Sequence, residues 1–437
     1  MSRPAARPTV PGTARRPRHA AAAPAAPDVA AIDACVRGLR EAMIDFTSRL
    51  VAVASENPPG AAYPDAVRLI QAELRALGLP CQLVRYAPPA GGRDGSGAAV
   101  VLSSVGEGRR TLYFSGHYDV VPVTTPGQCR PERRGRMLFG RGSADMKSGL
   151  ASMLYAAVAL QRLGVPLDGR LGLVFVPDEE TGGHRGSGFL AATGRLGADG
   201  IGMLTPEPTS GVVWNANRGA ITARVTVRGR EAHVGLMHQG RNAFEDAIRV
   251  VGLLQRLARR VGRRRTRFRV RPEAARRSLL LVGGRVEAGS NFNVVPGTCT
   301  FTVDRRLNPE EDFAAERRAL LAVFDEARRL GVTLDVEVFQ EGHPSGSAEA
   351  APLARALRTH VKAVTGRPPR FEMCPGLLEI RFYAERGMPA YAYGPGLLAV
   401  SHGPKEFVDT DRIVQCAAIY ARVAASVLGP PARAGLL

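Results

Sequence analysis

Apolar and polar positions alternate along this chain with two distinct periods. Ile32, Val36, Leu39, Met43, Phe46 and Leu50 recur at helical spacing and predict a helix over 30–53, stopped by Asn57-Pro58-Pro59-Gly60. A second helix is predicted over 63–77, ended by Gly78, then strands over 81–86 and 98–103 around a Gly-rich turn. Strand 111–116, helix 148–163, strand 170–176, helix 186–194 and strand 201–204 follow. Strands alternating with helices imply an α/β unit with a largely parallel sheet. In such sheets ligands gather at the carboxyl ends of the strands.

The texture then changes. Residues 219–229 alternate like a half-exposed strand, and a helix is predicted over 242–260. Strands over 278–286 and 298–303, a helix over 310–329 and a strand over 332–339 complete a β-α-β-β-α-β order, that of a ferredoxin-like α+β insert. Helix 350–364, strands near 377–383 and 389–393, and helix 411–428 return to the first domain. The predicted division is an arm over 1–28, a first domain built from 29–215 and 343–437, and an insert over 216–342. The arm is Ala, Pro and Arg, which bury too little apolar surface to become ordered.

Composition narrows the class. With 437 residues the chain is too long for one compact core. Hydrophobic residues make up 45% and charged residues 23%, an ordinary globular balance. No apolar run is long enough for a membrane span. Arg15-Arg16 precedes an alanine stretch, but Pro24 and Pro27 interrupt it, so a signal peptide is rejected. The six cysteines are scattered and form no Cys-x-x-Cys, which argues against a thiolate zinc site and a disulfide scaffold. A reducing cytoplasm fits that usage. The net charge of +19 raises nucleic-acid binding. Its densest stretch, Arg256 to Arg277, lacks the interleaved aromatics of a stacking platform. A basic protein docking nucleic acid or an acidic surface is kept as the alternative from another class.

Five strand or loop ends carry candidate chemistry. His117 and Asp119 follow strand 111–116, two residues apart, on one side of an extended backbone. An imidazole binds a divalent metal through one nitrogen while a carboxylate on the other fixes its tautomer. A solvated surface turn would look the same. Asp145 lies in the Gly-rich stretch 139–149, where a carboxylate can cap the following helix or bridge two cations. Glu179 and Glu180 follow strand 170–176 and point different ways, so one can ligate metal while the other moves protons. Glu207 in Thr205-Pro-Glu-Pro-Thr209 and His402 in Ser401-His-Gly-Pro-Lys-Glu406 complete the set.

In this order the motifs resemble the M20 family of metallopeptidases and amidohydrolases, over residues 35–425. The likeness is greatest to the acetylornithine deacetylase and succinyl-diaminopimelate desuccinylase branch. It implies a zinc-exopeptidase-like catalytic domain with a mixed, mostly parallel sheet, and makes 216–342 a ferredoxin-like lid through which the chain would form a homodimer. It implies two divalent metal ions, zinc first and cobalt as the alternative. His117 and Glu207 would each ligate one of the two metals, Asp145 would bridge them, and Glu180 and His402 would complete the pair. Asp119 would orient His117, and Glu179 would be the general base. Oxygen and nitrogen ligands without thiolates suit zinc in a catalytic site.

The same resemblance has His233 reach across the dimer to the developing oxyanion. Without it His233 is a strand-end histidine. Asn293, Arg306 and Arg381 would hold a substrate carboxylate, against the reading that both arginines are surface residues of an Arg-rich chain. The implied activity is hydrolysis of a small N-acylated amino acid or related amide, with a dipeptidase or exopeptidase as the alternative. One departure bears on the substrate. Gly376-Leu-Leu-Glu379-Ile-Arg381 stands where the branch has Gly-Gly-Thr-Asp-Ala-Arg, and makes that pocket more apolar.

Overall fold

This computed structural model describes residues 28–88, 95–197 and 199–430. The arm expected to be disordered lies outside the described residues except for Asp28, whose carboxylate caps the first helix by accepting from the Ala30 N–H at 2.9 Å. The single helix expected over 30–53 is two, Val29–Gly38 and Arg40–Ala52, turning at Leu39 directly after a glycine of low helix propensity.

Four parallel strands form the heart of the larger sheet, in the order Arg170–Val176, Thr111–His117, Gly200–Thr205, Ala390–Ala392. Antiparallel strands Ala99–Val105 and Gln82–Arg85 extend one side. Val213–Asn217 extends the other, pairing with Ser345–Gly346 and Phe371–Cys374. The sheet is thus mixed and mostly parallel at its centre. His117 pairs in register with Val176, so the carboxyl ends of the central strands share one edge.

Helices cover both faces. Ser148–Arg162 and Thr410–Leu428 pack on one, where the rings of Phe114 and Tyr420 stand 4.8 Å apart. Nearly every residue of Ser148–Arg162 is buried, which explains its largely apolar sequence. Ser187–Ala192 and Ile380–Ala384 pack on the other face against Val174 and Met203. The strand expected near 377–383 is not there: its second half is the short helix Ile380–Ala384. Leu378, Ile380, Phe382 and Tyr383 are all buried, and a run buried on every side loses the periodicity that separates strand from helix.

The second layer is a four-stranded antiparallel sheet in the order Leu279–Ala288, Thr298–Leu307, Gly219–Arg228, Thr333–Gly342. Helices Ala243–Val261 and Phe313–Arg329 pack on it through Val250, Leu254, Leu320 and Phe324. The element order is the β-α-β-β-α-β read from the sequence.

The densest basic stretch, Arg256 to Arg277, begins in the helix Ala243–Val261, and its residues 263–277 form a strap from this layer to the larger sheet. Val270 packs with Ala216 and Met373. The Met373 N–H donates to the Arg269 carbonyl at 2.6 Å, and the Arg218 guanidinium donates to the Ala275 carbonyl. Several of its arginines face carboxylates: Arg264 with Glu311 at 2.5 Å and Glu316 at 2.6 Å, Arg265 with Glu273 at 2.6 Å. All six cysteines are unpaired. Among the described residues no helix is long and apolar enough to cross a membrane.

Candidate metal centre

Two sets of donors meet at Asp145. The ligating atoms of His117, Asp145 and Glu207 lie within 4.8 Å of one another, as do those of Asp145, Glu180 and His402. His117 ends the strand Thr111–His117, Glu180 stands in the turn after Arg170–Val176, and Glu207 follows Gly200–Thr205. Asp145 Oδ1 is 3.4 Å from His117 Nε2, and its Oδ2 is 3.3 Å from His402 Nε2. His402 Nε2 is also 3.3 Å from Glu180 Oε2. His117 and Glu207 therefore stand in the same set rather than one in each. His402 is exposed, so the centre opens to solvent on that side.

Asp119 does more than touch the ring. His117 Nδ1 lies 3.0 Å from its backbone oxygen and 3.3 Å from its Oδ1. Its fully buried carboxylate also accepts the N–H groups of Glu179 and Glu180 at 3.2 and 3.1 Å, and the Asn57 side-chain amide at 2.9 Å. One side chain thus ties the imidazole to the turn that carries both glutamates.

Sequence reasoning missed the residues that hold the Asp145 and His402 loops. Glu406 Oε1 accepts the N–H groups of Ala144 and Asp145 at 2.9 and 3.0 Å. Arg141, also buried, donates to the His402 carbonyl at 3.2 Å. Gln128 donates to the Gly403 carbonyl at 3.0 Å. These bonds support His402 in a left-handed conformation, φ 62°, which costs a non-glycine residue about 1–2 kcal/mol. Gly149 lets the helix Ser148–Arg162 approach the turn before Glu207, since a Cβ there would meet the Pro206 carbonyl oxygen at 2.5 Å. Nothing local in the sequence marks Gln128, and Arg141 lay inside the stretch 139–149 already singled out for Asp145. Glu406 lay inside a stretch already singled out, four residues from His402.

The electrostatics favour cations. Burial, with the charge of Asp145 next, pushes the Glu207 carboxyl up to about 8. Burial and Glu207 hold Glu179 well above the usual carboxylate range, and burial raises Glu180 as well. Asp145 goes the other way: burial opposes its charge, but bonds from His117 and His402 bring it down. The bond to Asp145 lifts His402 to about 10. Glu180 Oε1 is buried with no hydrogen-bond partner, and buried His117 Nε2 faces the Asp145 carboxylate. Crowded carboxylates facing two imidazoles, with one free buried oxygen, suit divalent cations.

The remaining predicted residues lie elsewhere. His233 and Asn293 are joined in the second layer, where the Val234 N–H donates to the Asn293 carbonyl at 2.9 Å. His233 Nδ1 accepts from the Gly235 N–H at 3.1 Å, which leaves Nε2 to carry the proton. Arg306 pairs with Asp304 at 2.9 Å on the same sheet. Arg381 is buried, with donors on the carbonyls of Leu378 and Gly182. Glu379 is buried beside it and its carboxyl is pushed up to about 7 by burial.

Comparison with known proteins bears on this geometry. The profile of Peptidase family M20/M25/M40 matches residues 113–426. An acetylornithine deacetylase from Myxococcus xanthus is 29% identical, over 82% of this chain and 91% of that protein. A succinyl-diaminopimelate desuccinylase from Roseobacter denitrificans is 30% identical, over 72% of this chain and 82% of that protein. The di-peptidase Dug1p from Saccharomyces cerevisiae has the same fold, with a TM-score of 0.72 at 17% identity over 92% of this chain and 99% of that one.

Proposed function

The chain belongs to peptidase family M20/M25/M40, and from that membership we propose that it hydrolyses the amide bond of a small N-acylated amino acid with a pair of divalent ions. The observation that carries this reading is Asp145, whose two carboxylate oxygens each face a different imidazole. His117, Asp145 and Glu207 would hold one ion, and Asp145, Glu180 and His402 the other. Zinc suits these donors best, with cobalt the alternative.

Bound ions of this kind lower the pKa of water and polarise an amide carbonyl. Glu179 takes the proton of the attacking water and delivers it to the leaving amine. Asp119 sets where Glu179 stands by accepting its N–H. His233 presents its Nε2 proton to the developing oxyanion. Asn293 and Arg306 hold the substrate carboxylate.

The region 216–342, which carries the second layer, is read as a lid that pairs with its copy in a homodimer. Leu279–Ala288 is one of the two edge strands of its sheet and pairs only with Thr298–Leu307 among the described strands. Leu279, Leu281 and Val286 on that strand, with Phe244 and Ile248 on the helix, are exposed apolar residues that such pairing would cover. Six unpaired cysteines support a cytoplasmic setting.

The test is a zinc-loaded screen over N-acyl amino acids, with dipeptides as the second arm. Turnover of acyl-amino acids is expected. Turnover of dipeptides alone would move the reading to a dipeptidase. A protein that binds zinc and cleaves neither would refute amide hydrolysis.

A further inference from the structure

We propose that Arg381 is a positioning residue for the turn carrying Glu179, not a ligand for substrate carboxylate; the proposal rests on the hydrolase reading above. Arg381 is 1% exposed. Its Nη1 donates to the Leu378 carbonyl at 2.6 Å and its Nη2 to the Gly182 carbonyl. The guanidinium lies 4.1 Å from the centroid of the Phe382 ring. A planar fork stacked on a ring, with donors on two carbonyls, is fixed in orientation.

What it fixes is the glutamate turn. The Gly182 N–H donates to the Glu179 carbonyl at 2.9 Å, so Gly182 closes the turn that contains both acids. Gly182 and Gly183 have φ of 116° and 68°, a region glycine enters without strain. A Cβ on Gly183 would stand 2.8 Å from Glu379 Oε1, so the segment bearing Arg381 lies directly against the turn. The turn is therefore gripped at both ends. Asp119 accepts the N–H groups of Glu179 and Glu180, and Arg381 donates to the carbonyl that ends it. The carboxylates of Glu179 and Glu379 also favour the charged guanidinium against its burial. The grip comes from Leu378 to Arg381, within the stretch where this chain departs from the deacylase branch.

The test compares kcat and KM for wild type, Arg381→Met and Arg381→Lys on two matched N-acyl amino acids. One substrate keeps its free carboxylate and the other carries it as the primary amide. Arg381→Met should lower kcat about 10- to 100-fold, by the same factor on both, because a small displacement of the base is enough to do so. KM should stay as in wild type, and at saturating zinc bound metal should also stay full, even though Glu180 shares the turn. Arg381→Lys keeps the charge, reaches one carbonyl and should recover part of the loss.

A loss confined to the carboxylate-bearing substrate and carried by KM overturns the proposal and returns Arg381 to the substrate pocket. A fall in bound metal to match the lost activity, with no recovery by lysine, also overturns it. If the Met variant does not fold, the Lys variant decides by the same split between kcat and KM. An active wild type with an unaffected Met variant sinks this proposal alone. A wild type that cleaves neither substrate sinks the hydrolase reading.

Discussion

Arg141 and Glu406 form an ion pair, Nη1 to Oε2 2.7 Å, with both side chains 1% exposed. The pair lies directly behind Asp145, because the other oxygen of Glu406 accepts the Asp145 N–H. Removing one partner leaves a buried charge uncompensated. Arg141→Met should cost about 3–5 kcal/mol of stability, and should weaken zinc binding because the Asp145 turn loses its anchor. Urea melts and metal titration read the two effects. Unchanged values in both would show that the pair does not hold the centre.

Glu179 belongs to neither donor set, and its proposed role as general base separates proton transfer from metal binding. Glu179→Gln should keep full metal content and lose about 10²–10⁴ in kcat. Metal analysis alongside kinetics checks it. Hydrolysis at the wild-type rate would place the base elsewhere.

The metal-free centre should make the fold sensitive to alkaline pH. Burial and the charge of Asp145 push Glu207 up to about 8 in the metal-free fold from an ordinary 4.5, so the folded state favours the extra proton between those values. Stability then falls as pH rises through that window. His402 adds stability that is full below 6.5 and fades as pH climbs through about 10. Both slopes run downward with pH, and bound cations replace the protons that cause them. Calorimetry of chelated and zinc-loaded protein should show a gap in melting temperature that widens from pH 6 to pH 9, about the span of these titrations. Parallel curves would contradict the assignment.

Leu281 is 57% exposed on the edge strand of the second layer. A lysine there would meet its own copy across a paired edge and repel it. Leu281→Lys should turn a homodimer into a monomer by light scattering. It should also lower kcat if His233 serves the partner's centre. A wild type that is monomeric at working concentration would remove both expectations.

The residues that cluster at Asp145 were legible because each closes a strand or loop with a distinctive residue type, as Gly116-His117 and Pro206-Glu207 do. The supports were not. Arg141 reaches Glu406 across 265 positions, and Asn57 reaches Asp119 across 62. Contacts so distant leave no local period. The insert was read correctly in element order because its strands alternate between core and solvent, as Gly219–Arg228 does. Val213–Asn217 was missed because all its residues are buried, polar Asn215 and Asn217 included. The segment 377–383 failed for the related reason that burial on all sides erases the helix–strand distinction.

The strap of residues 263–277 has a consequence for how the molecule opens. It belongs by chain order to the smaller sheet, yet it buries Val270 beside Met373 and hands a carbonyl to the Met373 amide. Local opening of either sheet must break those contacts or carry the strap along. Amide exchange should therefore slow together at Met373 and along Gly219–Arg228, as one cooperative block spanning both sheets.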